Sequence, residues 1–336
     1  MKRRDFITIG GLAAASSLSH LGCAPPSAPA SAPAGTPASL WSAWDSVFAQ
    51  AKYVSLSHVL TPDAPLWKGF PPGTRFARGQ GRMDDTSPYA TFTYEQTGLE
   101  TTAYTLAADQ FGTQLDPPAH WHQCFPAIDE VPPTVAVRKL VVISIADQVA
   151  RDVNYHLSAA DVRAWETEHG TVPAGAVVMV RSDWYKRWSD AERFQPADGR
   201  FPGVSLEALK LLHLERHILL HGHEPVDTDS TPTLIGEDWL MNNGYMQAEG
   251  VANLDKVPAT GALVAIGFPR FKGGTGGFVS FTAICPADWH EGVRIGEVPD
   301  APFAVHPQRL VWNAQNGLRE RSAPCDKPAG KLSMNP

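Results

Sequence analysis

The stretch FGTQLDPPAHW, residues 111–121, sets one carboxylate, Asp116, four residues before one imidazole, His120, among a glycine, two prolines and a tryptophan. A carboxylate and an imidazole at a chain reversal are the residue types that acid–base chemistry and metal-assisted hydrolysis use. Gln110, Gln114 and Asp116 share one parity, so on an extended segment they project from the same side and three oxygen donors converge. Gly112 lets the backbone approach something closely, and Pro117 and Pro118 turn the chain so that His120 can face the same space. The same pattern also describes a polar strand edge ending in a proline turn, with His120 bonded locally.

A second cluster, HGHEPVDTDSTPTLIGEDWLMNNGYMQAEGVANLD (221–255), follows directly on the apolar run that opens ILLHG. Polar residues at the C-terminal end of a strand in an α/β sheet are where ligands gather. The segment offers His221, His223, Glu224, Asp227, Asp229, Glu237 and Glu249 as donors. Taken singly, each histidine reads as structural, because H-G-H-E does not set zinc ligands on one helix. The density of donors in one loop is what points to a site. A third stretch, PRFKGGTGGFVSFTAICP (269–286), has four glycines without the strand–GxGxxG–helix setting of a nucleotide site. It reads either as a loop shaping a pocket wall or as a wide turn.

The elements that must position these groups alternate two periods. KLVVISI (139–145), GAVVMVRS (175–182), ILLHG (218–222) and GALVAIGF (261–268) are short apolar runs of the kind that form buried strands. SAADVRAWETEHG (158–170) predicts a helix capped by Ser158 and ended by Gly170, and SLEALKLLHLERH (205–217) predicts another. This is α/β order, with a strand-rich N-terminal part. Nothing from Leu40 to about Leu310 resembles a linker or a repeat, so we expect a single mixed α/β domain over 40–320 and a polar C-terminal tail over 321–336.

The opening, residues 1–23, has a basic start with Arg3 and Arg4 before a short Ala/Gly-rich apolar stretch, the build of a twin-arginine export signal. Cys23 closes it like a lipoprotein cysteine, and the Pro/Ala/Ser tract of 24–39 is too poor in large side chains to pack. The expected location is the periplasm, free or lipid-tethered, with membrane contact only through the signal or that anchor. The net charge of −7, with no basic run beyond the start, argues against nucleic acid and for a small-molecule partner. The other cysteines, Cys124, Cys285 and Cys325, show no CxxC spacing, which argues against a zinc–cysteine site.

Together these stretches resemble the cyclase family of metal-dependent hydrolases, to which bacterial kynurenine formamidases belong. The resemblance runs from VSLSHVLTPDAPLWKG (54–69) through the central motif, VRSDWYKRW, FPGVSLEA and AEGVANLDKVPATGALV. It implies a domain built around a curved, largely buried sheet, assembled as a homodimer or homotetramer. The family motif H-x-G-T-H-x-D-x-P-x-H is met by Q-F-G-T-Q-L-D-P-P-A-H, so Gln110 and Gln114 stand where the family has histidines. The resemblance implies Asp116 and Glu249 as metal ligands, with Gln110, Gln114 and Glu237 nearest the remaining ligand positions, and His120 as the catalytic acid/base. Such an oxygen-rich set suits Mn²⁺ better than Zn²⁺, with Mg²⁺ and Ca²⁺ also suited.

Two functions follow from the resemblance. The first is hydrolysis of an amide, lactone or cyclic imide by metal-activated water with His120 carrying the proton. The second is a catalytically degenerate periplasmic small-molecule-binding protein of the same fold. Trp67, Phe111 and Trp121, with His221 and His223, are the expected substrate-facing residues, and the aromatic load suits a planar substrate, although core packing accounts for much of it.

Overall fold

The computed structural model describes residues 39–80, 91–296 and 301–325. The expected export signal, Cys23 and nearly all of the Pro/Ala/Ser tract lie outside the described residues. Ten strands form one sheet: β1 (Lys52–Ser55), β2 (Gln114–Asp116), β3 (Val137–Ser144), β4 (Val177–Arg181), β5 (Leu220–His223), β6 (Met246–Glu249), β7 (Ala262–Gly267), β8 (Gly277–Phe278), β9 (Ser280–Cys285) and β10 (Val293–Arg294). Their spatial order is β8-β2-β6-β5-β4-β3-β7-β9-β1-β10. The middle block β6-β5-β4-β3 is parallel, and antiparallel strands extend it on both sides.

Parallel neighbours need a crossover between them, and helices supply it here. Helix α1 (Ala159–His169) lies between β3 and β4, α2 (Leu206–Lys210) between β4 and β5, and α3 (Ile235–Asn242) between β5 and β6. The start of α1 is set locally: Ser158 Oγ accepts from the Asp161 amide at 3.1 Å, and Asp161 Oδ2 accepts from the Ser158 amide at 2.8 Å. Gly170, at φ 86°, ends it. The predicted helix 205–217 is not one regular helix. After Lys210 it widens into a π-turn over Leu211–Glu215, which buries Leu211, Leu212 and His213 together. A regular 3.6-residue turn cannot send three consecutive side chains to one interior face.

Both faces of the parallel block are buried, and strand alternation divides them. Leu140, Val142, Val177, Met179, Leu220, Ala248 and, on β2, Leu115 enter one core with Val264, Phe281 and Ala283. Val141, Ile143, Val178 and Val180 enter a second core under the helices, with Val162, Trp165, Leu209, Leu212, Leu240 and Met241. The polar residues flanking Leu115, Leu220 and Ala248 therefore point to the helical face. That alternation places the site.

The expected polar tail at 321–336 begins inside structure. A strand over Leu318–Pro324 pairs with one over Gln308–Asn313, and Arg319 reaches Glu100 and Thr102. Composition missed the end of this strand because a charged residue such as Arg321, which lies opposite Leu310 and donates to the Gln308 carbonyl, reads as solvated chain when its cross-strand partners are unknown. Cys124, Cys285 and Cys325 are all free thiols. Among the described residues, no helix is long and apolar enough to cross a membrane.

Candidate metal centre

Three adjacent strands build the floor of the site. In the antiparallel pair β2–β6, Gln114 lies opposite Glu249 and Asp116 opposite Gln247. In the parallel pair β6–β5, Gln247 lies beside His221. The result is one polar patch on the helical face, with two carboxylates alternating with two carboxamides. Gln114 Nε2 lies 2.6 Å from Glu249 Oε2 and 3.5 Å from Asp116 Oδ2. The Gln247 carboxamide lies 2.7 Å from Glu249 Oε1 and 3.4 Å from Asp116 Oδ2.

Helix α3 and the loop before it close the site from above. Glu237, on the first turn of α3, is 3% exposed, and Asp227 reaches in from the loop. Carboxylate oxygens of Asp227, Glu237 and Glu249 all lie within 4.8 Å of one another. Asp116 Oδ1 and Glu237 Oε2 are buried without a hydrogen-bond partner. Buried carboxylate oxygens left unpaired are expensive, so this set suits a cation.

The electrostatics carry the same message. Burial pushes the Asp116 carboxyl above its usual range, and the neighbouring His120 partly offsets this. Burial, with the charges of Asp227 and Asp116, raises Glu237 well above the ordinary value, and burial with Glu237, Asp116 and Asp227 does the same for Glu249. Asp227 is pushed up to about 7, chiefly by burial and then by Asp229. A divalent ion held by oxygen ligands would remove this repulsion, and hard ions fit such a set best.

These shifts give a testable stability profile. A carboxyl raised from 3.8 in the ordinary state to about 7 in the fold stabilises the folded protein fully in acid, and that stability is lost as pH rises through about 7. The half-buried His58 and the buried His213, His221 and His223, held below their ordinary value by burial, add stability as pH rises over the same interval. The Asp227 contribution is therefore read as a difference. Metal-free wild type is expected to lose stability relative to metal-free Asp227→Asn between about pH 4 and pH 7, while bound metal, which requires ionised ligands, should stabilise the wild type progressively more. Melting curves of chelator-treated wild type and Asp227→Asn, and of Mn²⁺-loaded wild type, across this range check it. A melting-temperature difference between metal-free wild type and metal-free Asp227→Asn that stays constant from about pH 4 to pH 7 would contradict the arrangement.

His120 ends a short 3₁₀ turn, Pro118–His120, started by the two prolines, and is half-buried. Gln110 precedes the turn at Gly112, whose φ is 76°, and its side chain does not join the carboxylates. Its Nε2 lies 3.2 Å from His120 Nδ1 and 3.4 Å from Thr275 Oγ1. The glycine-rich loop thus forms a wall at His120, where a Cβ on Gly276 would stand 2.7 Å from Gln110 Nε2. Asp109 Oδ2 pins that loop by accepting the amides of Thr275 and Gly276 at 2.9 and 3.0 Å.

Gln114, Asp116, Glu237 and Glu249 come together as expected. Gln110 stands apart, because the left-handed backbone at Gly112 breaks the extended segment that would have aligned it with them. The expected substrate contacts of Phe111, His221 and His223 are corrected. Phe111 is buried in an apolar cluster with Ala64 and Phe76. His221 and His223 are fully buried on the same helical face beside the polar patch, where strand alternation sends them, with Thr228 between their Nε2 atoms at 3.4 and 3.1 Å. Trp121 is partly exposed beside His120. Trp67 lines a cavity of about 320 Å³ with Phe194, Phe201, Pro225 and Asp227, so one carboxylate of the cluster borders open space. Sequence reading missed Gln247 and Thr228 as site residues and left Asp227 among many donors. The alternation in MQAE, two residues before Glu249, was the available signal for Gln247.

Comparison with known proteins agrees with this architecture. The family described as Putative cyclase matches residues 54–230. The chain is 30% identical to isatin hydrolase of Roseibium aggregatum over 194 residues, 54% of this chain and 73% of that protein. Isatin hydrolase A from Ralstonia solanacearum superposes with a TM-score of 0.63 at 27% identity, covering 76% of this chain and 100% of the other. An isatin hydrolase bound to the product analogue thioisatinate superposes at 0.63 with 25% identity, over 74% of this chain and 96% of that one. The chain belongs to the cyclase family of metal-dependent hydrolases.

Proposed function

We propose that the protein hydrolyses the C–N bond of a small cyclic amide on a planar aromatic frame, as the names of the isatin hydrolases it resembles suggest. The observation that carries this reading is the carboxylate cluster of Asp227, Glu237 and Glu249, with the buried Asp116 joined to it through Gln114 and Gln247 and with unpaired oxygens on Asp116 and Glu237. These four residues would hold the divalent ion, with Mn²⁺ favoured over Zn²⁺ by the oxygen set. When bound, the ion polarises the substrate carbonyl and acidifies water.

His120 is the proton carrier of this reading, because it is a half-buried imidazole whose charge is felt by Asp116 and whose Nδ1 is engaged by Gln110. The cavity beside Trp67 and Asp227 accepts a flat ring against aromatic and proline walls. Ring opening adds water across the C–N bond and leaves a carboxylate and an amine.

Protein purified without chelator and supplied with Mn²⁺ is expected to hydrolyse isatin, followed by loss of its absorbance, and to stop when the metal is chelated. Mn²⁺ should restore the rate better than Zn²⁺. Activity unaffected by chelation would overturn the metal-dependent reading, and turnover of linear aryl formamides alone would redirect the substrate class.

A further inference from the structure

Behind the carboxylates, Thr228 links the Gln247 carboxamide to His223. The Pro225 carbonyl can only accept, so His223 Nδ1, 3.1 Å away, carries a hydrogen. His223 is 1% exposed, and its nearest carboxylate oxygen, Glu249 Oε1, lies at 3.7 Å, beyond hydrogen-bond reach. A buried imidazole in that setting is neutral, which leaves Nε2 bare. Thr228 Oγ1 sits 3.1 Å from that nitrogen and donates its single proton there.

The same Thr228 oxygen also meets the end of the Gln247 carboxamide. Having no second proton, it can only accept, so the atom facing it must be the NH₂ group. The two ends of a carboxamide have nearly the same shape, and their partners decide which way it points. The opposite orientation requires two protons from one hydroxyl or a doubly protonated His223. His221 Nε2, 3.4 Å from Thr228 Oγ1, can donate to the same oxygen without conflict.

We infer that Gln247 turns its carboxamide oxygen toward Asp116 and Glu249 and serves as a further, uncharged oxygen ligand of the divalent ion. That end lies 2.7 Å from Glu249 Oε1 and 3.4 Å from Asp116 Oδ2. Oxygens that close repel unless a proton or a cation lies among them. Asp116 Oδ1 and Glu237 Oε2, buried and unpartnered, mark where a cation gains most. Gln247 is 0% exposed and contributes an oxygen without adding charge to a group that already holds four carboxylates. Thr228 is then a positioning residue, holding the amide by its NH₂ end. This assignment rests on the metal reading of the site.

The test is calorimetric titration of Mn²⁺ into chelator-treated, full-length protein, with melting curves of the metal-free proteins to confirm folding. Gln247→Met is expected to weaken Mn²⁺ binding about 10- to 100-fold, and Thr228→Val to weaken it in the same range. Thr228→Ser, which keeps the hydroxyl, should restore wild-type affinity, and Gln247→Glu, which keeps an oxygen, should retain the ion. Wild-type affinity in Gln247→Met overturns the ligand assignment while leaving the metal site standing. Failure of Thr228→Ser to recover what Thr228→Val loses overturns the orientation argument. Wild-type protein that binds no Mn²⁺ overturns the metal reading, and this assignment with it.

Discussion

Asp116→Asn is expected to strip the protein of its divalent ion and to abolish hydrolysis, an effect larger than the roughly 10- to 100-fold loss typical of a residue that only supports a ligand. The argument rests on position. Asp116 is 0% exposed, its Oδ1 has no protein partner, and its Oδ2 is shared between the carboxamides of Gln114 and Gln247. Nothing else on β2 can replace its charge, because Leu115 points into the opposite core. The same substitution removes one of four mutually repelling carboxylates, so metal-free Asp116→Asn should melt above metal-free wild type. Metal analysis, turnover and melting curves on one preparation therefore separate loss of the ion from loss of the fold. A variant that keeps its metal and turns over normally would remove Asp116 from the centre.

His120→Ala should behave in the opposite way. The ion should remain, because the carboxylates that hold it come from β2, β6, α3 and the loop carrying Asp227, while turnover should fall by about 10² to 10⁴, the usual worth of a positioned acid or base. Folding is little at risk. His120 is half-buried at the end of a three-residue turn that Pro117 and Pro118 set without it. Metal content equal to wild type with turnover reduced in that range is the expected pair of results. Full turnover in His120→Ala would sink the proton-carrier assignment, and loss of the ion would move His120 into the ligand set.

Much of this protein was legible in the chain itself, for reasons that are local. The run KLVVISI became strand Val137–Ser144, because a β-branched apolar run with no polar partner belongs in a sheet covered on both faces. Ser158, Asp161 and Gly170 bracketed helix Ala159–His169 because capping is decided within a turn of the residues concerned. Gln114, Asp116, Glu237 and Glu249 were likewise in view before the fold was known, the first two by their spacing among glycine and prolines, the last two as donors in one polar segment, and their ligand roles by resemblance to a family. Parity within QLD even placed Gln114 and Asp116 on one side.

What the chain alone could not decide is which strands become neighbours and in what register. Gln247 faces Asp116 only because β6 runs antiparallel to β2 with Glu249 opposite Gln114, and a one-residue slip would send both side chains into the apolar core. His221 and His223 were expected to face substrate, yet the parallel pairing of β5 with β4 and β6 buries them on the helical face beside the patch as supports. Gln110 shares the parity of Gln114, but the turn at Gly112 and the approach of the Thr275–Gly276 loop send it to His120 instead. The sequence by itself determined the residue types, the elements and their caps, which depend on neighbours a few positions away. The tertiary structure decided the ligand set and its supports, because these depend on strand register and on contacts between residues more than a hundred positions apart.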